Sequence, residues 1–230
     1  MDSLSIKIIG LGGIGSILAE KLARFLNFTS DQKAEITLID GDEYEVKNVE
    51  RQEFSTLGSK SLVKARDLYE KFKDLSIEHN NSYVSIMNVH DIIKDGDIVM
   101  LAVDNHKTRK IVSDFASTLE NITIISGGNE LTDGNIQIFV RKEGRDLTPN
   151  LTAYHPEIET PADKLPSEMT CEELANSSPQ LFFTNLSVAT IMCWAFYNVV
   201  TLKKVDSSEI YFDIGIMKTD SKFREVPRAA

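Results

Sequence analysis

Apolar residues in the first half of the chain fall in short blocks separated by stretches with helical spacing. Residues 5–9 are a β-branched run, glycines follow, and 17–28 carry apolar side chains at helical intervals. Residues 35–40 (EITLID) predict a second strand, 61–73 (SLVKARDLYEKFK) an amphipathic helix, and 84–89 another strand. Residues 97–103 (DIVMLAV) are almost continuously apolar, as in a strand covered on both faces; a helix over 107–119 and a strand at 122–126 are predicted behind them. Alternation of strand and helix implies a parallel sheet with right-handed crossovers.

The pattern then changes. Residues 135–140 (NIQIFV) alternate as in an antiparallel or edge strand. Residues 145–166 are rich in Pro, Asp, Glu and Thr without periodicity, which predicts a long loop of the kind that often serves function. Helical spacing resumes over 170–200 with a break near 177–179, 209–217 predicts a last strand, and 224–230 a frayed end. The whole predicts an α/β fold: a Rossmann-like, doubly wound, mostly parallel sheet with antiparallel C-terminal strands. The most apolar stretch, 181–202, includes Thr184, Asn185, Ser187, Thr190 and Asn198. That polar load does not suit a membrane span of roughly 20 apolar residues; a buried core helix is expected, one that can also serve a subunit interface.

Composition narrows the function classes. With 35 acidic against 25 basic residues the formal charge is −10, which argues against a general nucleic-acid binder, since that affinity comes from clustered Lys and Arg. The only cysteines, Cys171 and Cys193, cannot build a disulfide framework or a four-thiolate zinc site within one chain. No signal peptide is legible, so the expected compartment is the cytoplasm.

Gly10, Gly12, Gly13 and Gly15 lie directly after the first strand and open a helix, the context that a phosphate-binding turn requires. The helix N-terminus there presents N–H groups and partial positive charge to an anion. Asp40, ending the next strand, suits ribose hydroxyls; Asp40-Gly41-Asp42 is equally good turn chemistry.

From Asp40 onward the chain resembles the ThiF/MoeB family, relatives of ubiquitin-activating enzymes. The resemblance rests on the GLGGIGS loop, on Asp40, Asp42, Asn48, Arg51 and Gln52, on Val103-Asp104-Asn105 with Arg109, and on Ser126-Gly127-Gly128 running into Gly134-Asn135-Ile136-Gln137. It covers residues 6–140 well and the rest loosely. It implies ATP over the glycine loop, Mg²⁺ on Asp104, the ribose on Asp40 and phosphate contacts from Asn48 and Arg51, with Gln52 and Asn105 beside them. Asp42 would orient the metal or the neighbouring arginine. The family's helix-start lysine falls on Ser61, so Lys60, or else Lys64, would take its place. Residues 1–140 would then be the ATP-binding adenylation region, and 141–230 a crossover loop, apolar helix and final strand completing the same domain.

The implied activity is adenylation of a carboxylate, most naturally the C-terminal glycine of a ubiquitin-like or sulfur-carrier protein, by a homodimer. A nucleotide-binding scaffold without turnover and a tRNA-modifying relative remain as alternatives. The long loop would guide the substrate tail, with Arg141, Lys142 and Arg145 as local positive charge. Two departures stand out: the family's extra N-terminal helix with its arginine is not legible before the first strand, and the paired CxxC motifs are absent. Some family members pass the product to a cysteine. Cys171, behind Thr170 in a capping-box pattern, is the candidate nucleophile, or else an ordinary thiol. Cys193 is expected in the core, and His155 either at substrate or solvated in its loop.

Overall fold

The fold comes from a computed structural model, described for residues 3–49, 52, 54–168 and 181–227. Five parallel strands form its centre: β1 (Leu4–Ile9), β2 (Ala34–Ile39), β5 (Ser76–Asn80), β6 (Ile98–Leu101) and β7 (Ile122–Asn129). They lie in the order β5-β2-β1-β6-β7, and the sheet continues antiparallel through β8 (Asp133–Lys142), β10 (Glu209–Asp213) and β11 (Lys218–Lys222). Short β9 (Arg145–Asp146) pairs with β8, and β3 (Glu43–Tyr44) with β4 (Gly58–Ser59). From β1 the chain winds outward to β2 and β5, then returns to the other side of β1 for β6 and β7. That reversal leaves a crevice at the carboxyl ends of β1 and β6, where an open α/β sheet binds ligands.

Strand side chains alternate between two cores. Ile6 and Ile8 of β1 face the core that holds α1 (Gly13–Phe28), α2 (Lys60–Lys71) and α6 (Phe182–Phe196). Ile9, Val99, Leu101, Ile124 and Phe139 face the other, with α3 (Val89–Ile92), α4 (His106–Ala116) and α5 (Pro156–Glu159). The segment Phe182–Thr201 is apolar and long enough to cross a membrane by length and composition, yet 56% of its most apolar window is buried in the fold. α6 packs on α1, β7 and β8, and the expected core helix is found, though Phe183 and Trp194 point outward.

Three expectations are corrected. The third strand is Ser76–Asn80, not 84–89; it is an edge strand whose mostly exposed, polar residues hide its period, while Val84 and Val89 are buried plugs beside a turn. A further strand, β11, follows β10 after a tight turn, so 209–217 is not the last. The crossover segment 145–168 is no loose loop. Thr148 Oγ1 accepts from Val140 N–H (2.8 Å) and donates to Ile138 C=O (2.7 Å), Leu151 N–H donates to Ser113 Oγ (3.1 Å), and Leu151, Ile158 and Leu165 are in the core.

His155, expected in solvent or at substrate, is buried in this segment between two carboxylates. Its Nδ1 lies 2.9 Å from Glu157 Oε1 and its Nε2 3.0 Å from Glu209 Oε1. Glu209 also accepts from Arg224 Nε and Tyr211 Oη, each at 2.8 Å, which ties the C-terminal residues to the crossover segment. Burial alone would raise the Glu209 pKa, but the hydrogen bonds from Arg224, Tyr211 and His155 outweigh it and hold the carboxyl below its ordinary value. A depressed acid stabilises the fold fully above its unfolded pKa and loses that contribution as pH falls through the folded value. Glu209→Gln should therefore cost about 2–3 kcal/mol in denaturant unfolding at neutral pH, and the difference from the parent chain should shrink below about pH 4.

Candidate nucleotide site

The glycine loop is shaped by two close approaches. Gly10 has φ +88°, and a Cβ there would sit 2.8 Å from the Ala102 carbonyl oxygen; a Cβ on Gly15 would sit 1.8 Å from the Gly10 carbonyl oxygen. Strand, loop and helix thus pack with no room for side chains at these positions. Gly12 differs: among the described residues nothing lies within 4 Å of its would-be Cβ. α1 starts at Gly13, with no acidic residue in its first turn and, among the described residues, no side-chain cap. Its leading N–H groups are left for an anion.

Asp40 clamps this loop. Its Oδ2 accepts from Leu11 N–H at 2.6 Å and its Oδ1 from Asp42 N–H at 2.8 Å. The buried Tyr44 donates its hydroxyl to Leu11 C=O (3.3 Å) and stacks on Phe54. Burial pushes the Asp40 pKa up, against the pull of Lys60 and of the two backbone donors. Each carboxylate oxygen keeps a lone pair for a ribose hydroxyl.

Lys60 opens α2 and is 6% exposed; its ammonium meets Asp42 Oδ2 at 2.6 Å. A buried ammonium requires a counterion, and Asp42 is here that partner of Lys60; the ammonium's other N–H donors are left for a phosphate. Ser61 is fully buried and Lys64 is buried on the same helix. Asn48 is buried in a short 3₁₀ turn with Oδ1 accepting from Glu45 N–H (2.9 Å), which leaves its Nδ2 as the end that can donate to phosphate. Gln52 N–H donates to Asn48 C=O (3.0 Å), while its buried Oε1 has no partner among the described residues. Arg51 and Cys171, two of the expected catalytic residues, lie outside the described residues.

Asp104 follows β6 and is exposed. Asn105 is the N-cap of α4, its Oδ1 accepting from Thr108 N–H at 2.8 Å, so this oxygen is committed to the helix rather than to a nucleotide. Arg109 is buried and structural: it donates to Ser126 Oγ (3.0 Å), Val103 C=O (2.7 Å) and Gly127 C=O (2.9 Å), stitching β6 to β7, and burial pulls its pKa down to about 10. Asp163, which the sequence did not single out, accepts from His106 N–H (2.5 Å) and Lys107 N–H (3.1 Å), pinning the crossover segment beside Asp104.

Arg141, Lys142 and Arg145 do not serve this site. Arg141 pairs with Ile122 at the amino end of β7, the opposite end of the sheet from the glycine loop, and bonds Asp146 and Leu119 C=O. The positive charge expected for a substrate tail is therefore elsewhere. Cys193 is half-buried against the core, and burial pushes its thiol up to about 11, which makes it a poor nucleophile.

Comparison with known proteins agrees with this fold. The family model described as "ThiF family" matches residues 1–229. The tRNA threonylcarbamoyladenosine dehydratase of Haemophilus influenzae is 31% identical over 138 residues, 57% of this chain and 51% of that protein. The adenylyltransferase and sulfurtransferase MOCS3 of Culex quinquefasciatus is 29% identical over 153 residues, 64% of this chain and 33% of that protein. The chain thus spans about half or less of the length of these relatives. Among solved structures, E. coli MccB with ATP superposes with a TM-score of 0.73 at 19% identity, covering 96% of this chain and 63% of that one.

The two glycines at the helix start should separate fold from binding. Gly15→Ala should destabilise the chain by at least the roughly 1–3 kcal/mol of an overpacked core, because the obstructing atom is backbone. Gly12→Ala should cost no more than about 1 kcal/mol as an N-cap change, yet weaken binding of a nucleoside triphosphate measured by calorimetry.

Proposed function

We propose, from the premise that this chain belongs to the ThiF family, that it uses ATP to adenylate a carboxylate, and that the carboxylate is the C-terminal glycine of a ubiquitin-like or sulfur-carrier protein. The observation that carries this reading is the convergence at one crevice of an uncapped helix N-terminus, the clamping acid Asp40 and the exposed acid Asp104. Relatives named as adenylyltransferases support adenylation as the class of reaction.

In that reaction a carboxylate oxygen bonds to the α-phosphorus, the bond from that phosphorus to the bridging oxygen breaks, and pyrophosphate leaves with the electron pair. The chain must hold a large negative charge, and fixed donors do so without reorganising. The α1 amides, Nδ2 of Asn48 and the guanidinium of Arg51 are the donors, and the ammonium of Lys60 joins them while Asp42 stays its counterion. Among the described residues no group of three or more His, Cys, Asp or Glu side chains forms a metal cage. The exposed carboxylate of Asp104 suits Mg²⁺, which takes one or two carboxylates and completes its shell with water and phosphate oxygens. Asp104 would hold it, and the ion would supply charge neutralisation at the phosphates.

A second reading is favoured by the 31% identity to the tRNA threonylcarbamoyladenosine dehydratase: a tRNA-borne substrate at the same site. The charge of −10 weighs against it. We further propose a homodimer through the outward face of α6, where Phe183 and Trp194 are exposed beside a groove of about 460 Å³ bordered by Leu186, Ile214 and Met217.

ATP–pyrophosphate exchange should appear with a Gly-terminated carrier protein. It should fall on the order of a hundredfold or more in Asp104→Ala, with an unchanged melting curve because the side chain is exposed. Exchange only with tRNA would favour the second reading. Trp194→Glu should shift sedimentation from dimer to monomer; a monomeric parent chain removes the dimer proposal.

A further inference from the structure

Tyr83 stands at the carboxyl end of edge strand β5, next to the Asp40-Gly41-Asp42 turn that ends β2. Its ring lies directly on the backbone of Gly41: a Cβ there would be 2.8 Å from ring carbons Cγ and Cδ2 and 2.6 Å from Tyr83 N. Gly41 is not in a left-handed conformation, so this glycine is needed for the close approach and not for its φ. The contact fixes where the ring sits.

The backbone beneath it is held as firmly. Asn88 Nδ2 donates to Tyr83 C=O at 2.9 Å, and Asn88 Oδ1 accepts from Ser85 N–H (2.8 Å) and Ser85 Oγ (3.1 Å). Ser82 Oγ donates to Asn80 Oδ1 at 2.7 Å, and Val84 is 3% exposed in the core. With the backbone of Tyr83 clamped and its neighbour plugged into the core, the phenol is a fixed feature of the crevice, not a mobile surface ring.

What surrounds the phenol is acidic. Partial burial first, then Asp42, Asp40 and Asp104, push its pKa up to about 12. The three acids come from the ends of two strands on opposite sides of β1, so Tyr83 lies where both arms of the crevice are felt. Ionised carboxylates only accept hydrogen bonds, whereas the neutral phenol can donate one. Among the described residues its hydroxyl has no hydrogen-bond partner. A ligand rich in oxygen therefore finds at Tyr83 a positioned donor within the field of the acid suited to ribose and of the acid suited to a metal.

We propose that Tyr83 is a further nucleotide-binding residue of this site, donating its hydroxyl to an oxygen of the ribose–phosphate part of the ligand from a ring seated on Gly41. The inference rests on the nucleotide reading of the crevice and adds to it a residue outside the glycine and aspartate motifs.

The test is ATP affinity of the full chain with Mg²⁺ by titration calorimetry, beside thermal unfolding without nucleotide. Tyr83→Phe keeps the ring on Gly41 and removes only the donor, so it should weaken ATP about tenfold while leaving the melting curve in place. Gly41→Ala, which must lift the ring, should weaken ATP in the parent chain, and by a smaller factor in the Tyr83→Phe background, since the hydroxyl it misplaces is already gone. If Tyr83→Phe binds ATP like the parent while Asp40→Ala does not, Tyr83 is packing only; the proposal falls and the nucleotide reading stands. If the parent chain itself binds no ATP, both fall.

Discussion

One carboxylate organises the crevice. Asp40 ends β2, and its two oxygens take the amide of Leu11, inside the glycine loop, and that of Asp42, in the following turn. A backbone N–H taken out of water costs free energy unless it is bonded. Here one side chain satisfies two and so locks two loops from neighbouring strands into one surface. The glycine loop is held from its other side by Tyr44 on Leu11 C=O, and the Asp42 that Asp40 places is the counterion of Lys60. The geometry of the crevice thus descends from a single acid that also suits ribose.

The opposite wall is built in the same way by a different acid. Asp163 binds the first amides of α4, and Lys107 of the same helix pairs with Glu168 at 2.7 Å. Farther back, His155 and Glu209 join the crossover segment to β10 and, through Arg224, to the end of the chain. Carboxylates accept where helix N–H groups and buried cations need partners. An acidic chain can therefore carry a site for an anion: many of its acids are already spoken for, while among the described residues no side chain caps the start of α1.

Much of the fold was legible in the residues. Continuous apolar strands, glycines after the first of them and the change of pattern at residue 135 predicted a parallel sheet with antiparallel additions, and the sheet has that form. The two larger misreadings have different causes. Edge strand β5 buries little, so its period is weak, and 145–168 has no local period because its order comes from distant partners such as Ser113 and Glu209. At the site, Gly10, Gly15 and Asp40 could be picked out because each sits in a local pattern, a glycine turn after a strand or an acid at a strand end, even though Gly10 and Asp40 make contacts as distant as Ala102 and Leu11. Tyr83 and Asp163 sit in no such pattern, and their partners are 42 and 57 positions away.

The sequence by itself determined most of the elements, the glycine turn and the acids that follow β2 and β6, because strand period, glycine and strand-end acids act over a few residues. Only the tertiary structure decided how those acids are used. Lys60 is bound to Asp42, Asn105 is spent on a helix cap, Arg109 is buried as a stitch, and Arg141 is carried to the far end of the sheet. Those outcomes depend on which strands lie side by side and in which direction they run. Pairing of that kind is fixed by burial of the whole sheet between its two cores, a property that no local stretch of residues contains.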